Sequence, residues 1–271
     1  MEIDFSKIEI LYNEDIEGSK ELSERILEYF KSSVVSSIKQ IDVKDDTSLV
    51  IAIGGDGTIL KCARNCAPKD IPLFGFNMGR LGFLAQGMPD KLDEVIQKIK
   101  NKDFRIEDRI MISAIVNNKE YRALNDIVIK GASYSRTSTL SLYVNNELVS
   151  DYLADGLIIS TPTGSTAYTL SAGGPVVSPD LDCLIIVPIC PHTLSARPVV
   201  IPSKERITIK MSEGNKFKLT SDGQEGIEIK DKIEIKKSAK SAKLILLNKS
   251  GDEFYSVLRR KLHWGQKIEK C

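Results

Sequence analysis

Long apolar runs are missing from this chain, and so is any excess of charge. No segment approaches the ~18 consecutive apolar residues of a membrane-spanning helix. The start MEIDFSKIEI has no basic stretch leading into an apolar one, so neither a secretory leader nor a membrane span is expected, and the predicted compartment is the cytoplasm. With 38 Lys and Arg against 37 Asp and Glu, the formal charge is +1. No broad field then draws nucleic acid or an anionic membrane as the main partner. Five cysteines in 271 residues are too few for a disulfide scaffold, and an odd number leaves one unpaired. Cys62 and Cys66 sit four apart with no second ligand pair at zinc-site spacing, so they read as small core residues, and Cys271 reads as an exposed tail residue. His192 lacks a partner at metal spacing and reads as a hydrogen-bonded structural residue, with His263 beside Trp264 as tail packing. Two nucleotide motifs are also absent, G-x-x-x-x-G-K-[ST] and a strand-linked G-x-G-x-x-G, which excludes a P-loop enzyme and an ordinary dehydrogenase.

The first hundred residues alternate strand and helix patterns, which predicts a parallel sheet covered by helices. Ile8 to Tyr12 has strand length, and Ser19 is placed to cap a helix with apolar positions Leu22, Ile26, Leu27 and Phe30. Leu49 to Ile53 shows no alternation, as expected of a central strand buried on both faces, and Ile71 to Phe76 repeats it. Leu92, Val95, Ile96 and Ile99 mark a helix stripe. From about residue 105 the pattern shortens to period-two strands such as Arg122 to Ile129, Ser141 to Val144 and Arg206 to Lys210, with turns at Asn145-Asn146 and Ser212 to Asn215. The lysine-rich stretch Lys230 to Lys243 reads as the solvated face of a strand pair. Asp252 to Leu262 returns to helical spacing and is expected to pack on the first domain. The predicted architecture is α/β plus β: residues 1–104 as an α/β domain, 105–250 as a β-rich domain, and 251–271 as a closing helix and tail.

Three segments carry chemistry. The turn Gly54-Gly55-Asp56-Gly57-Thr58 follows a buried strand, where open α/β sheets place their ligands. Glycines free the backbone to turn its N–H groups on a phosphate, and a following helix adds its positive end. Asp56 would repel phosphate unless it binds Mg²⁺ or accepts a proton from an attacking hydroxyl, both of which suit phosphoryl transfer. The competing reading is a tight turn in which Asp56 only caps. The second segment, Asp155 to Tyr168 continuing to Pro175, is dense in small hydroxyls between two apolar strands, and fits a pocket wall in which Tyr168 stacks on a base or bonds at a rim. In the third, Asn125-Asp126 at a strand entry reads as an adenine or ribose clamp, with a turn-edge pair as the simpler alternative. Ser221-Asp222-Gly223-Gln224 reads as a β-turn.

Taken together these segments resemble the NAD kinase family over nearly the whole chain. The turn at 54–58 alone matches a wider group that includes lipid kinases and phosphofructokinases. The order of Asn125-Asp126, Asp155 to Pro175, Pro188 to Thr193 and Asp222-Gly223-Gln224 is what narrows it. The resemblance implies an N-terminal α/β domain, a β-sandwich-like second domain and an NAD site between them, with Asp56 as catalytic base, Gly57 beside the dinucleotide and Lys61 near its phosphates. It implies that Asn125 and Asp126 hold the adenosine end, Asp126 standing where Glu is common. Asp155 and Thr166, Ala167, Tyr168, Thr169, Leu170 and Ser171 would contact the nicotinamide side or a neighbouring subunit's ligand, and Gln224 and Arg136 complete the set. The implied reaction moves the terminal phosphoryl group of ATP, or polyphosphate, to the 2′-hydroxyl of the adenosine ribose of NAD. Mg²⁺ would arrive with ATP without a dedicated protein ligand set, and a homodimer or homotetramer is implied. The rivals are a lipid kinase sharing the turn and a non-catalytic NAD or ATP sensor.

Overall fold

The structure is a computed structural model, and it describes residues 3–79, 82–131, 138–212, 216–247 and 253–262. Arg136, His263, Trp264, Cys271 and the turn residues at 213–215 lie outside the described residues. The chain forms two compact units, residues 1–108 with 242–271, and residues 109–241.

In the first unit, strands β1 (Ile8–Tyr12), β2 (Val34–Ser37), β3 (Leu49–Gly54), β4 (Leu73–Asn77) and β5 (Arg105–Arg109) alternate with helices α1 (Ser19–Tyr29), α2 (Asp56–Cys66) and α3 (Leu92–Lys100). The second unit runs through β6 (Ile112–Val116), β7 (Lys119–Ala123), β8 (Asp126–Gly131), β9 (Ser138–Val144), β10 (Glu147–Ala154) and β11 (Gly156–Ser160). After the short helix α4 (Tyr168–Ser171) come β12 (Cys183–Ile189), β13 (Val199–Pro202), β14 (Ile207–Met211), β15 (Phe217–Ser221), β16 (Glu225–Ile229) and β17 (Lys232–Lys237). The chain then returns to the first unit as β18 (Ala242–Leu246) and α5 (Glu253–Leu262).

The first sheet has the order β2-β1-β3-β4-β18-β5, with β1, β2, β3, β4 and β18 joined by parallel pairs. Every residue of β3 is buried, as its unbroken apolar run requires of a central parallel strand. Ile51, Ile53, Phe74 and Phe76 pack with Leu22 and Ile26 of α1 and Leu92, Val95, Ile96 and Ile99 of α3. Ser19 opens α1 but does not cap it: the cap is Gly18, at φ 77°, and the Ser19 hydroxyl donates to the Asn13 carbonyl at 2.5 Å. The region expected to be β-rich from 105 to 250 divides differently. Strand β18 enters the first unit's sheet beside β4, its Ile245 joins that unit's core, and Leu244 is in register with Leu73. Lys261 of α5 lies 5.8 Å from the ring centroid of Phe83, and Val257 and Leu258 are buried.

The second unit is two antiparallel sheets, β10-β9-β14-β17-β6-β7 and β13-β12-β11-β8-β15-β16. Inward residues of both sheets, among them Ile127, Ile129, Leu142, Leu157, Ile209 and Leu219, share one core, as in a sandwich. On its other face the second sheet is covered by the segment after α4, where Val177 packs on Val128, Ile158, Ile185 and Val187. This double burial explains why β11 and β12 read as continuous apolar runs. The single strand expected over Arg122 to Ile129 is two: β7 ends one sheet, the chain bends at Leu124-Asn125, and β8 starts in the middle of the other.

Because β18 supplies core to a sheet formed 170 residues earlier, Ile245→Ala should cost the first unit as much as any interior truncation, about 2–4 kcal/mol. Urea unfolding followed by circular dichroism checks this; a loss under about 1 kcal/mol would remove β18 from the core.

Candidate active site

Strand β3 ends at Gly54, and α2 begins two residues later with Asp56. A Cβ on Gly54 would stand 2.2 Å from Thr58 Oγ1, so the missing side chain lets the first turn of α2 close against the strand. Thr58, buried there, accepts a hydrogen bond from Asn13 Nδ2 at 3.2 Å. Gly55 has extended backbone angles (φ −93°, ψ −176°), and a Cβ on it would meet nothing within 4 Å. Gly54, Gly55 and Gly57 all lie outside the left-handed region, so the expectation of unusual backbone angles is corrected. These glycines serve close approach at Gly54 and open space at Gly55.

The cap of α2 is Gly55, with no side-chain cap hydrogen bond, and the carboxylate of Asp56 turns instead to the segment after β4. Its Oδ2 accepts from the backbone N–H of Phe83 at 3.0 Å and its Oδ1 from that of Leu84 at 3.3 Å, which holds the segment after β4 against the start of α2. A Cβ on Gly82 would overlap Asp56 Oδ1 at 2.0 Å, so only glycine permits this approach. Gly82 went unremarked in the sequence; the signal was a second glycine pair, Gly79 and Gly82, following a buried strand. Lys61 sits half-buried one helical turn after Gly57, on the same face of α2.

In the second unit the bend between β7 and β8 is fixed from both sides. The Asp222 carboxylate accepts from the backbone N–H groups of Leu124 (3.3 Å), Asn125 (2.8 Å) and Asp126 (3.3 Å). The Asn125 carbonyl accepts from Thr161 N at 2.9 Å and Ser160 Oγ at 3.1 Å, and Thr161 Oγ1 donates to the Leu124 carbonyl at 2.5 Å. Asn125 is therefore a bend residue and Asp126 the first residue of β8, so strand alternation does not force the two onto opposite faces. Gly164, whose Cβ would stand 2.2 Å from the Asn125 carbonyl oxygen, lets the 3₁₀ turn Thr163–Thr166 sit on this bend.

That turn and α4 carry the predicted residues Thr166, Ala167, Tyr168, Thr169, Leu170 and Ser171. Ser165 Oγ braces the segment by donating to the Val177 carbonyl and accepting from Val177 N, both at 3.1 Å. Tyr168 is 40% exposed, whereas Thr169 is fully buried and its hydroxyl has no hydrogen-bond partner. Gln224 lies in the β15–β16 hairpin with Asp222 (φ 50°) and Gly223 (φ 66°), its N–H on the Ser221 carbonyl at 3.0 Å. Asp155 does not join this group. It precedes β11, whose far end pairs Ser160 with Asp126, and is thus about 15 Å away along the strand. His192 shares the Asp155 end of the strands. It is exposed, bonded through its backbone N–H to the Leu153 carbonyl at 2.9 Å, so the expected structural role belongs to its main chain.

Asp126 is 4% exposed, and burial, reinforced by the neighbouring Asp222 charge, pushes its carboxyl up to about 7. Burial also pushes the Cys62 thiol up to about 12 and raises Cys66, which leaves both as inert core thiols. Among the described residues no group of three or more His, Cys, Asp or Glu converges to hold a metal ion.

Residues 8–104 match the model of the ATP-NAD kinase N-terminal domain and residues 124–247 that of the ATP-NAD kinase C-terminal domain. The chain belongs to the NAD kinase family. An NAD kinase of a Thermoanaerobacter species is 41% identical over 270 residues, covering 92% of this chain and 95% of the relative. The NAD kinase of Caldanaerobacter subterraneus is 44% identical over 232 residues, covering 83% and 81%. A crystal structure of an NAD kinase from Archaeoglobus fulgidus in complex with ATP superposes with a TM-score of 0.80 at 26% identity, covering 94% of this chain and 98% of that one. Yeast NADH kinase shares the fold, with a TM-score of 0.81 at 24% identity over 97% of this chain and 89% of that one. These likenesses favour neither the lipid-kinase nor the sensor reading.

For an NAD kinase with a carboxyl raised by burial, the sign of the pH effect is fixed. Stabilisation from protonated Asp126 is complete below the ordinary carboxyl range near 4 and is lost as pH rises through about 7. Asp126→Asn, which cannot ionise, should gain on the parent protein between pH 4.5 and pH 8 by on the order of 2–4 kcal/mol. Paired thermal melts across that range test it; a difference that stays constant with pH would mean Asp126 ionises freely.

Proposed function

We propose that Asp56 is the base of an NAD kinase reaction in which the terminal phosphoryl group of ATP moves to the 2′-hydroxyl of the adenosine ribose of NAD, giving NADP. The activity follows from membership of the family along both domains. The observation that supports the residue is the carboxylate of Asp56 held by the Phe83 and Leu84 N–H groups at the end of β3, beside the unobstructed backbone of Gly55. Held in this way, the carboxylate loses little orientational freedom on meeting a hydroxyl. The 2′-hydroxyl gives its proton to Asp56 as its oxygen bonds to the terminal phosphorus, and ADP departs with the electrons of the broken bond. Gly54 to Thr58 would approach phosphate with bare backbone, the start of α2 adds its positive end, and Lys61 adds a cation.

In this reading Asn125 and Asp126 hold the adenosine end. A protonated Asp126 donates one hydrogen bond as well as accepting. Thr166 to Ser171, Asp155, Gln224 and Arg136 take the remaining contacts, with Asp155 at the far end of β11 serving the nicotinamide side or a neighbouring subunit's ligand. In this reading Mg²⁺ arrives on the ATP phosphates, without a dedicated set of protein ligands. Polyphosphate is the alternative donor. A homodimer or homotetramer is part of the proposal, and is supported by exposed Leu148, Val149 and Leu153 on the edge strand β10. Cytoplasmic location belongs to it too; among the described residues no helix is long and apolar enough to cross a membrane.

Incubation with Mg²⁺-ATP and NAD, with NADP read by an NADP-specific dehydrogenase, tests the activity. Asp56→Asn keeps the volume and removes the base, and should lower kcat by about 10²–10⁴-fold while NAD still binds. Wild-type turnover in that variant would overturn the assignment. Gly55→Ala should fold and melt like the parent protein, because its methyl meets no protein atom, yet lose activity wherever phosphate uses that space. An active Gly55→Ala would move the phosphate path elsewhere.

A further inference from the structure

The carboxylate of Asp222 takes no part in the proposed phosphoryl transfer, yet it gathers three backbone donors. Its setting is a topological problem. Between β7 and β8 the chain leaves one sheet of the sandwich and enters the middle of the other, so the N–H groups of Leu124, Asn125 and Asp126 need acceptors at a place where Leu124 is fully buried and Asp126 nearly so. Asp222, just beyond the end of β15, supplies them with Oδ1 to Asn125 (2.8 Å) and Asp126 (3.3 Å) and Oδ2 to Leu124 (3.3 Å). Its own N–H returns a bond to the Asp126 carbonyl at 2.9 Å.

We propose that Asp222 is a positioning residue for NAD: by holding the three backbone N–H groups of 124–126 it sets Asn125 and Asp126 for the adenosine end of the dinucleotide. This rests on the reading of Asn125 and Asp126 as adenosine contacts. Three features carry it beyond a turn residue. The hairpin asks position 222 only for a residue that tolerates φ 50°, which Asn and Gly also satisfy, but only a carboxylate brings two acceptor oxygens to three donors. The peptide groups around Asn125 are bonded on both sides, to Asp222 and to Ser160 and Thr161, while no hydrogen bond in the described structure engages its side-chain amide. The carboxylate also sits beside Asp126 and favours the protonated form of that residue, so it orients the pair and helps set what Asp126 offers a ribose hydroxyl.

The test uses the full-length enzyme with Asp222→Gly and Asp222→Asn, each of which keeps the turn, alongside Asn125→Ala and the double variant Asp222→Gly/Asn125→Ala. Steady-state kinetics read KM for NAD, KM for ATP and kcat. Asp222→Gly should raise KM for NAD about 10–100-fold, and Asp222→Asn, which keeps one acceptor oxygen, about 3–10-fold. KM for ATP and kcat at saturating NAD should change by less than about 3-fold in both, since phosphoryl transfer itself is untouched. The double variant should be little worse than the worse single one, because the Asn125 contact cannot be lost twice. An unchanged KM for NAD in both Asp222 variants, an equal loss in kcat and in the ATP constant, or strict additivity in the double variant would each overturn the proposal. Should Asp222→Gly fail to fold, Asp222→Asn decides alone by the same split. If Asn125→Ala leaves KM for NAD unchanged, the adenosine reading fails instead.

Discussion

Backbone N–H groups that leave a sheet must find acceptors, and in both units of this chain a carboxylate supplies them at the segments to which the proposed reaction and its ligand are assigned. In the first unit the segment after β4 is held by Asp56. In the second the bend between β7 and β8 is held by Asp222. Each carboxylate lies outside the segment whose donors it takes, so each ties two parts of its unit together. An acceptor of this kind orders its neighbours and is itself ordered, which is the property a proton-accepting group or a ligand clamp requires.

The same constraint shapes the electrostatics. Asp126 sits at the start of β8, opposite Ser160 of β11 and bonded through its backbone to Asp222 just past β15, so it is buried next to a second acid. Water cannot solvate it there, and the Asp222 carboxylate adds like charge, so the neutral acid is the favoured state well above the ordinary carboxyl range. Lysines on β17 face the opposite situation. Lys232 and Lys236 are exposed and Lys237 is half-buried at the surface, where its pair with Asp182 contributes little to stability.

The glycines show where local reasoning held and where it failed. That Gly54 to Thr58 form a strand-to-helix turn was legible, because an unbroken buried strand ran straight into it. The role of each glycine was not. Gly54 yields to Thr58, Gly82 to the Asp56 carboxylate and Gly164 to the Asn125 carbonyl, and each need is created by atoms distant in sequence or by the packing of a helix start. Asp222 was read as turn chemistry, which its positive φ bears out, but its bonds to residues almost a hundred positions earlier carry no sequence signal.

Periodicity and composition were enough for the α/β-then-β order, for the buried central strand β3, for the α3 stripe, and for a family resemblance resting on several motifs in one order, because these depend on local propensity and on which faces must leave water. Tertiary structure alone placed β18 in the first unit's sheet, split 122–129 into strands of two different sheets, turned Asp56 from a cap into a bridge, and separated Asp155 from Asn125 by the length of a strand. The physical reason is the same in each case: a backbone donor is satisfied by whatever acceptor the fold brings within reach, and that partner is chosen by topology, which no short stretch of sequence encodes.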